Sequence, residues 1–296
     1  MSNRQLRSLS SALEELSRSA IPVLAGGTDF YPALRDAPAP DRVLDVTRIA
    51  GLQGVEKTAG GWRFGALSTW TDILNEPLPP AFDGLKAAAR EVGSVQIQNA
   101  ATLAGNLCNA SPAADGVPPL LCLDASVELA SVRGTRILPL DQFILAPRST
   151  ALASDELMIA INVPSISDHA ISGFSKLGAR RYLVISIVMA CITLEADEQD
   201  RLVSVRISVG ACSAVATRLR KLEHVLLGQS IQDDLVSLVT PALLSGLNPL
   251  SDVRGSADYR LIAAGQMIGR LLASGLHTLL HGRRQPAQCD DTEVDT

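Results

Sequence analysis

Apolar residues recur at helical spacing in some segments of the first half of the chain and form short runs in others. Leu9, Leu13 and Leu16 predict a helix, and Ser11-Ala-Leu-Glu14 predicts a capping box at its start. The run at residues 21–25 is typical of a short buried strand. Further strands are predicted at residues 42–46, 62–66, 126–130, 135–139 and 157–163, and helices at residues 70–74 and 85–92. The first half therefore contains both strands and helices.

One stretch, Ala101–Asp115, interrupts this pattern because it contains no Val, Ile or aromatic residue between two apolar segments. Small residues let main-chain N–H groups approach a bulky polar ligand. Short polar side chains, which form hydrogen bonds with little loss of entropy, occur at Thr102, Asn106, Ser111 and Asp115. We interpret this stretch as a loop that holds a nucleotide.

A second glycine-bearing loop, Gly26-Gly27-Thr28-Asp29, connects the strand at residues 21–25 to a predicted helix over Phe30–Arg35. It brings flexible backbone and a helix N-terminus together, an arrangement that attracts phosphate. Asp115 likewise precedes a predicted helix that ends at Leu123. Each loop alone also fits an ordinary turn, and Asp115 also fits a helix cap, so both interpretations stay open.

The pattern changes after a polar, turn-rich segment at residues 164–168, which predicts a linker. Three strands are predicted beyond it, at Phe174–Leu177, Ile185–Glu195 and Leu202–Ala211. Three helices follow, at residues 218–227, 231–247 and 259–280. We predict a first domain at residues 1–167, a second at 168–282, and a disordered acidic tail at 283–296.

Composition and charge restrict the classes to which this protein can belong. The chain has 296 residues and 47% hydrophobic content, which excludes a largely disordered protein and allows two domains. The formal net charge is only -5, so we expect no nucleic-acid partner. The apolar runs are too short to span a bilayer and the first residues show no signal-peptide pattern, so we expect a cytoplasmic protein.

The cysteines and histidines form no metal-binding or catalytic pattern. The five cysteines include no C-x-x-C pair for zinc or iron–sulfur ligation. Cys108 lies in the central stretch without a histidine near it in sequence, so we expect an inert packing thiol. The four histidines fall in the linker or in the helices of the second domain, at His169, His224, His277 and His281. We therefore predict no metal site and no catalytic side chain.

Several motifs together resemble one known family. The segments AGGTD (Ala25–Asp29) and TLAGNLCNASPAAD (Thr102–Asp115) are followed by Asp124–Leu129, and the second domain adds Phe174–Arg180 and Asp252–Arg260. In this order they resemble the FAD-binding medium subunit of molybdenum hydroxylases, the group that contains carbon monoxide dehydrogenase and xanthine dehydrogenase. The resemblance covers roughly residues 10 to 275 and is far more specific than either glycine loop alone.

The resemblance implies an α+β fold with two domains. The first is a two-lobed FAD-binding domain of the vanillyl-alcohol-oxidase (PCMH) type, and the second is a small domain with a three-stranded antiparallel sheet and helices. Leu157 and Met158 match positions beside the isoalloxazine, and Lys176 matches a basic residue near the flavin. The full implied set of FAD-binding residues is Leu24, Ala25, Gly26, Gly27, Thr28, Asp29, Phe30, Val92, Thr102, Gly105, Asn106, Ser111, Asp115, Leu157, Met158 and Lys176.

The resemblance also implies an electron-transfer function. A medium subunit of this type takes electrons from a molybdopterin-binding large subunit through a [2Fe-2S] subunit, in a heterotrimer or its dimer, and passes them to NAD, a quinone or another acceptor. Two alternatives stay open, a self-contained flavin oxidase or dehydrogenase and a structural relative without FAD. The sequence departs from the family at Ala104, because Ala104-Gly105 stands where two adjacent glycines are usual.

Overall fold

The computed structural model describes residues 2–181 and 183–282, and the predicted disordered tail lies outside them. The first region, residues 2–164, contains β1 (Ser2–Gln5), α1 (Leu9–Arg18), β2 (Val23–Leu24), α2 (Phe30–Leu34), β3 (Arg42–Asp45), β4 (Val55–Thr58), β5 (Gly61–Gly65), α3 (Trp70–Asn75), α4 (Asp83–Glu91), α5 (Val95–Ala100), α6 (Leu103–Asn109), α7 (Val117–Cys122), β6 (Ser126–Ser131), β7 (Gly134–Pro139), α8 (Leu140–Phe143), β8 (Ile144–Ala146), β9 (Ser149–Thr150) and β10 (Leu157–Pro164). The second region, residues 171–282, contains β11 (Ile171–Leu177), β12 (Val188–Ala196), β13 (Leu202–Gly210), β14 (Thr217–Arg218), α9 (Arg220–Leu226) and α10 (Ala257–Gly282).

A small parallel sheet, in the order β1-β3-β2, starts the first region. Helix α1 packs on this sheet through Leu13 and Leu16, which share an apolar cluster with Leu44. The predicted capping box at Ser11 is wrong, because the helix begins at Leu9 and the hydroxyl of Ser8 accepts a hydrogen bond from the Ser11 N–H (3.3 Å). Ser8 has the extended backbone that a cap requires, whereas Ser11 lies within the helix.

A five-stranded antiparallel sheet, in the order β4-β5-β10-β6-β7, supports the main apolar core of the first region. Strands β6 and β7, which match the strands predicted at residues 126–130 and 135–139, form a hairpin that closes where Ser131 pairs with Gly134. Strand β10 lies at the centre of the sheet, and its pairing with β6 shifts between Met158 and Ala160. The core also includes buried side chains of α3, α4, α6 and α7, so these helices are fixed firmly on the sheet.

The central stretch contains a short helix where the sequence predicted a loop. Helix α6 begins after Thr102, whose side-chain oxygen accepts a hydrogen bond from the N–H of Gly105 (3.1 Å). Leu103 and Leu107, one helical turn apart, are fully buried in the core. The small residues between them leave the other face of the helix open, which is why the stretch lacks an obvious helical pattern.

Asp115 does not cap the helix that follows it. Helix α7 begins at Val117, and its cap position is Gly116, with no side-chain cap hydrogen bond. The carboxylate of Asp115 instead contacts Lys176 and Ser186 of the second part of the chain. The prediction of a capping role for Asp115 is therefore wrong, because two long-range partners hold its side chain.

The second region is a four-stranded antiparallel sheet, in the order β11-β12-β13-β14, with α10 packed against it. The three predicted strands are present, and β14 adds a fourth of two residues. The helix predicted at residues 231–247 is wrong, because two short 3₁₀ helices, Leu235–Leu238 and Pro241–Leu244, occupy that segment. Pro241 has no backbone N–H to continue an α-helix through this segment.

The two regions are joined by polar contacts as well as by apolar packing. The N–H of Gly84 in α4 donates to the hydroxyl of Ser172 in β11 (2.7 Å). Asp124 forms ion pairs with both Arg206 and Arg218 (2.6 Å each). These contacts, made by β11, β13 and β14, hold the sheet of the second region against the first region. Within the described residues, none of the helices is both long enough and apolar enough to cross a membrane.

Candidate functional site

A cavity of about 850 Å³ lies between the two glycine-bearing segments and continues to the second region. This volume lies within the range that holds cofactor-sized ligands, about 300–1,000 Å³. Every predicted site residue lines the cavity except Leu24, which belongs to β2 and is buried in the fold. The residues that the resemblance selected from distant parts of the chain therefore converge on one site.

The glycine turn at residues 26–29 is in direct contact with the central stretch. An ideal Cβ on Gly26 would lie 1.8 Å from the carbonyl oxygen of Ala100, so the two backbones touch. A few residues further on, the side-chain amide of Asn109 donates a hydrogen bond to the carboxylate of Asp29 (2.9 Å). The turn thus contacts the end of α5 and the end of α6 on one side of the cavity.

The glycine turn contains consecutive main-chain N–H groups that have no acceptor. Within the described residues, the N–H groups of Gly26, Gly27 and Thr28 have no hydrogen-bond acceptor. Gly27 has a left-handed backbone (φ +72°), a conformation that L side chains rarely adopt. These three residues are half-buried and line the cavity, so their N–H groups are available to an anionic ligand or to water.

The start of α6 offers fewer free donors than the sequence suggested. The N–H of Leu103 donates to the carbonyl of Ser68 (3.0 Å), and that of Gly105 donates to the side chain of Thr102. Within the part of the chain that the structure describes, the N–H of Ala104 has no hydrogen-bond acceptor. This segment therefore contributes to the cavity mainly by leaving room for a ligand, because Gly105, which has no side chain, is exposed in the cavity wall.

A buried ion pair connects the two regions at the cavity wall. The ammonium of Lys176 lies 2.6 Å from one carboxylate oxygen of Asp115, and the hydroxyl of Ser186 donates to the other (2.8 Å). Lys176 also donates to the carbonyl of Glu91 at the end of α4 (3.3 Å). Burial raises the pKa of Asp115 above its ordinary value, and the positive charge of Lys176 opposes that rise. Lys176 thus compensates the charge of Asp115.

Other residues of the cavity lining are apolar. Val92 follows α4, and Leu157 and Met158 begin β10, and all three line the cavity. Leu157 and Met158 are consecutive strand residues, which ordinarily face opposite sides of a sheet. The register shift between Met158 and Ala160 marks a bulge, and bulges redirect side chains at binding sites. This wall suits the flat face of an aromatic ring system.

Sequence reasoning missed three charged or polar residues of the lining, Asn109, Arg148 and Glu156. Asn109 lies in the stretch Ala101–Asp115, which the sequence predicts to hold a nucleotide, so its position in that stretch indicates a place in the site. Arg148 and Glu156 carry no such signal, because only the fold brings the β8–β9 turn, which contains Arg148, and the residue before β10, Glu156, to the cavity. Glu156 pairs with Arg136 through two hydrogen bonds (2.7 and 2.8 Å), which lower its pKa.

Cys108 lines the cavity as a half-buried thiol. Burial raises the pKa of this thiol to about 12, so it is protonated at neutral pH and a poor nucleophile. We therefore expect Cys108→Ser to bind the same amount of cofactor as the wild type, and iodoacetamide to leave Cys108 unmodified at pH 7.5. Peptide mass spectrometry after alkylation measures this. Rapid modification of Cys108 in the native protein would contradict the assignment of an inert thiol.

Comparison with known proteins now identifies the family. Residues 2–166 match the sequence family described as the FAD binding domain in molybdopterin dehydrogenase, which is more than half of the chain. The chain belongs to this family. Residues 174–274 of the FAD subunit match a second family, the CO dehydrogenase flavoprotein C-terminal domain. The resemblance inferred from the motifs is confirmed, and the predicted domain boundaries at residues 167 and 282 stay predictions.

Relatives of this FAD subunit cover most of its length. The nicotinate dehydrogenase FAD-subunit of Eubacterium barkeri is 31% identical over 80% of this chain and 82% of its own. The glyceraldehyde dehydrogenase medium chain of Sulfolobus acidocaldarius is also 31% identical, over 80% of this chain and 84% of its own. The structure of carbon monoxide dehydrogenase from Hydrogenophaga pseudoflava lacking the Mo-pyranopterin moiety superposes with a TM-score of 0.87 at 25% identity, over 94% of this chain and 97% of that one.

The cofactor of this FAD subunit is FAD, and the predicted oxidoreductase class is confirmed. The cavity suits that cofactor, because free N–H groups in the glycine turn match a diphosphate and the wall at Met158 matches an aromatic ring. The departure at Ala104 is compatible with this, since Ala104 is a helical residue of α6 and needs no left-handed backbone.

Proposed function

We propose that this FAD subunit carries electrons from a [2Fe-2S] subunit, which receives them from a molybdopterin-binding subunit, to NAD, a quinone or another acceptor. The predicted site residues hold the FAD in the 850 Å³ cavity. The observation that carries the proposal is the convergence of the glycine turn, α6 and the second region on this one cavity. The cytoplasmic location expected from the sequence stays a prediction.

The titratable groups of the cavity favour electron transfer over direct oxidation of an organic substrate. Asp115 is paired with Lys176, and Glu156 with Arg136. Cys108 is a neutral thiol at physiological pH, and none of the described lining residues is a histidine. A flavin enzyme that oxidises an alcohol itself needs a base close to its substrate. The third carboxylate of the described lining, Asp29, accepts a hydrogen bond from Asn109. The carboxylates of this cavity are thus engaged in structural contacts, so the alternative of a self-contained oxidase has less support.

The role of the protein in this function is to bind, orient and exclude water. The free N–H groups of Gly26, Gly27 and Thr28 suit the diphosphate, and the short side chains of Asn106 and Ser111 suit hydroxyl groups. The apolar wall at Val92, Leu157 and Met158 keeps water away from the ring system. When bound, the flavin supplies the redox chemistry, and the protein sets its placement and access.

Purification of the tagged chain from its native host tests this proposal. We expect it to copurify with a [2Fe-2S] protein and a molybdopterin-binding protein, both identified by mass spectrometry. In the purified complex we expect anaerobic addition of the reducing substrate to bleach the flavin absorbance only when the iron–sulfur subunit is present. A chain that purifies alone and oxidises small alcohols with dioxygen would contradict the proposal and support the self-contained oxidase.

A further inference from the structure

Arg148 stands at the mouth of the cavity in a constrained backbone conformation. It lies in the turn between β8 and β9, lines the cavity and is otherwise exposed. Its φ of +61° is left-handed, which is unusual for a residue with a long side chain. The Arg148 N–H donates to the carbonyl of Ala110 (2.8 Å), and Ala110 is itself left-handed (φ +47°). Two strained residues in mutual contact are typical of a functional site.

Arg148 differs in its partners from Lys176, the other cation of the described lining. Lys176 is compensated by Asp115, and Arg136 compensates Glu156. The guanidinium of Arg148 instead donates to the neutral Asn109, both to its side-chain oxygen and to its backbone carbonyl (3.3 Å). Among the described residues, no carboxylate lies within 4.0 Å of its nitrogen atoms, so its positive charge has no direct counterpart.

Asn109 places this charge near the glycine turn. Its side-chain oxygen accepts from Arg148, and its side-chain nitrogen donates to Asp29 (2.9 Å). Arg148 is therefore separated by one side chain from the segment that carries the free N–H groups of Gly26–Thr28. Arg148 and these N–H groups line the same cavity, and guanidinium and main-chain N–H groups are both donors that suit a phosphate group.

We infer that Arg148 binds the diphosphate of the dinucleotide and is the main source of salt-dependent affinity for FAD. This inference rests on the proposed placement of FAD in the cavity. The bound phosphates supply the anionic partner that Arg148 lacks among the described residues. A purely structural role is the competing explanation, in which the guanidinium only fixes the carbonyl of Asn109 at the end of α6.

Ligands with and without phosphate separate these two roles. We would prepare the full-length chain and its Arg148→Gln and Arg148→Lys variants without cofactor and titrate each with FAD and with riboflavin. For Arg148→Gln we expect at least a tenfold loss of FAD affinity at 50 mM KCl, because hydrogen bonds to charged groups are the stronger class. We expect riboflavin affinity to be unchanged and Arg148→Lys to be intermediate for FAD.

Salt dependence gives a second readout that does not depend on riboflavin. We expect the FAD affinity of the wild type to fall towards that of Arg148→Gln as KCl rises from 50 mM to 1 M, because salt screens the exposed charge. Arg220→Gln is the matched control, since Arg220 is an exposed arginine outside the cavity whose Asp141 partner is 3.7 Å away. We expect it to behave as the wild type.

The outcomes distinguish this inference from the proposed function. Arg148→Gln could lose FAD and riboflavin affinity equally, or the ratio of FAD affinities of the wild type and Arg148→Gln could stay constant with salt. Either result would assign Arg148 a structural role and overturn the inference, without contradicting FAD binding in the cavity. A wild-type chain that binds no FAD would overturn the proposed placement of the cofactor itself. Circular dichroism melting of each variant excludes a general loss of folding as the cause.

Discussion

Replacement of Gly26 by alanine is expected to yield protein that is purified without FAD and has a lower free energy of unfolding. The new Cβ would lie 1.8 Å from the carbonyl oxygen of Ala100 and 3.1 Å from Cα of Ala101. Both contacts are with backbone, so no side-chain rotation relieves them and the glycine turn must move away from the end of α5. Overpacking of this kind costs about 1–3 kcal/mol. The ratio of flavin absorbance to protein and urea unfolding of the cofactor-free chain measure the two effects.

Gly246→Ala is the matched control for this experiment. A Cβ on Gly246 has no heavy atom within 4 Å, and its backbone is not left-handed, so we expect normal FAD content and stability. Gly27 is a less specific position to test, because its φ of +72° strains any L residue regardless of the ligand. Normal FAD content in Gly26→Ala would show that the contact between the turn and the end of α5 is not needed for the site.

The sequence predicted the site better than it predicted the elements that build it. The glycine turn and the central stretch were recognised because small residues without a packing role stand out between apolar segments. The helical form of the central stretch was missed, although Thr102 as a cap and Leu103 with Leu107 one turn apart were signals for it. Helical periodicity is hard to recognise when only two positions of a short helix reach the core.

Long-range partners account for most of what the sequence could not predict. Asp115 looked like a helix cap because local sequence gives no sign of Lys176 and Ser186, which belong to the second region. Arg148 lies in a turn and has a left-handed backbone. In a sequence, that conformation is ordinarily indicated by glycine or asparagine, not by arginine. Such positions depend on the assembled fold, so the charge balance of the site can be read only from the structure.

Removal of the positive charge of Lys176 is expected to destabilise the chain strongly at high pH and weakly at low pH. Lys176→Met leaves the buried carboxylate of Asp115 without a cation, which costs about 3–5 kcal/mol in comparable buried pairs. Lys176 opposes the rise in the pKa of Asp115, so its loss raises that pKa further above the ordinary value of 3.8. The variant therefore shows the full loss in free energy of unfolding above the pKa of Asp115 in its folded state. This loss shrinks as the pH falls through that pKa, because a neutral carboxyl is less costly to bury.

Urea unfolding of the wild type and of Lys176→Met at pH 8 and pH 5 measures this deficit. The double variant Asp115→Asn, Lys176→Met contains no buried charge at this position, so we expect it to recover most of the lost stability and to lose the pH dependence. Arg18→Met is the control, because its pair with Glu14 is exposed and 3.5 Å long and contributes no more than about 0.5 kcal/mol. Equal deficits at both pH values would show that Lys176 acts through packing alone, since only an ionised Asp115 makes the deficit depend on pH.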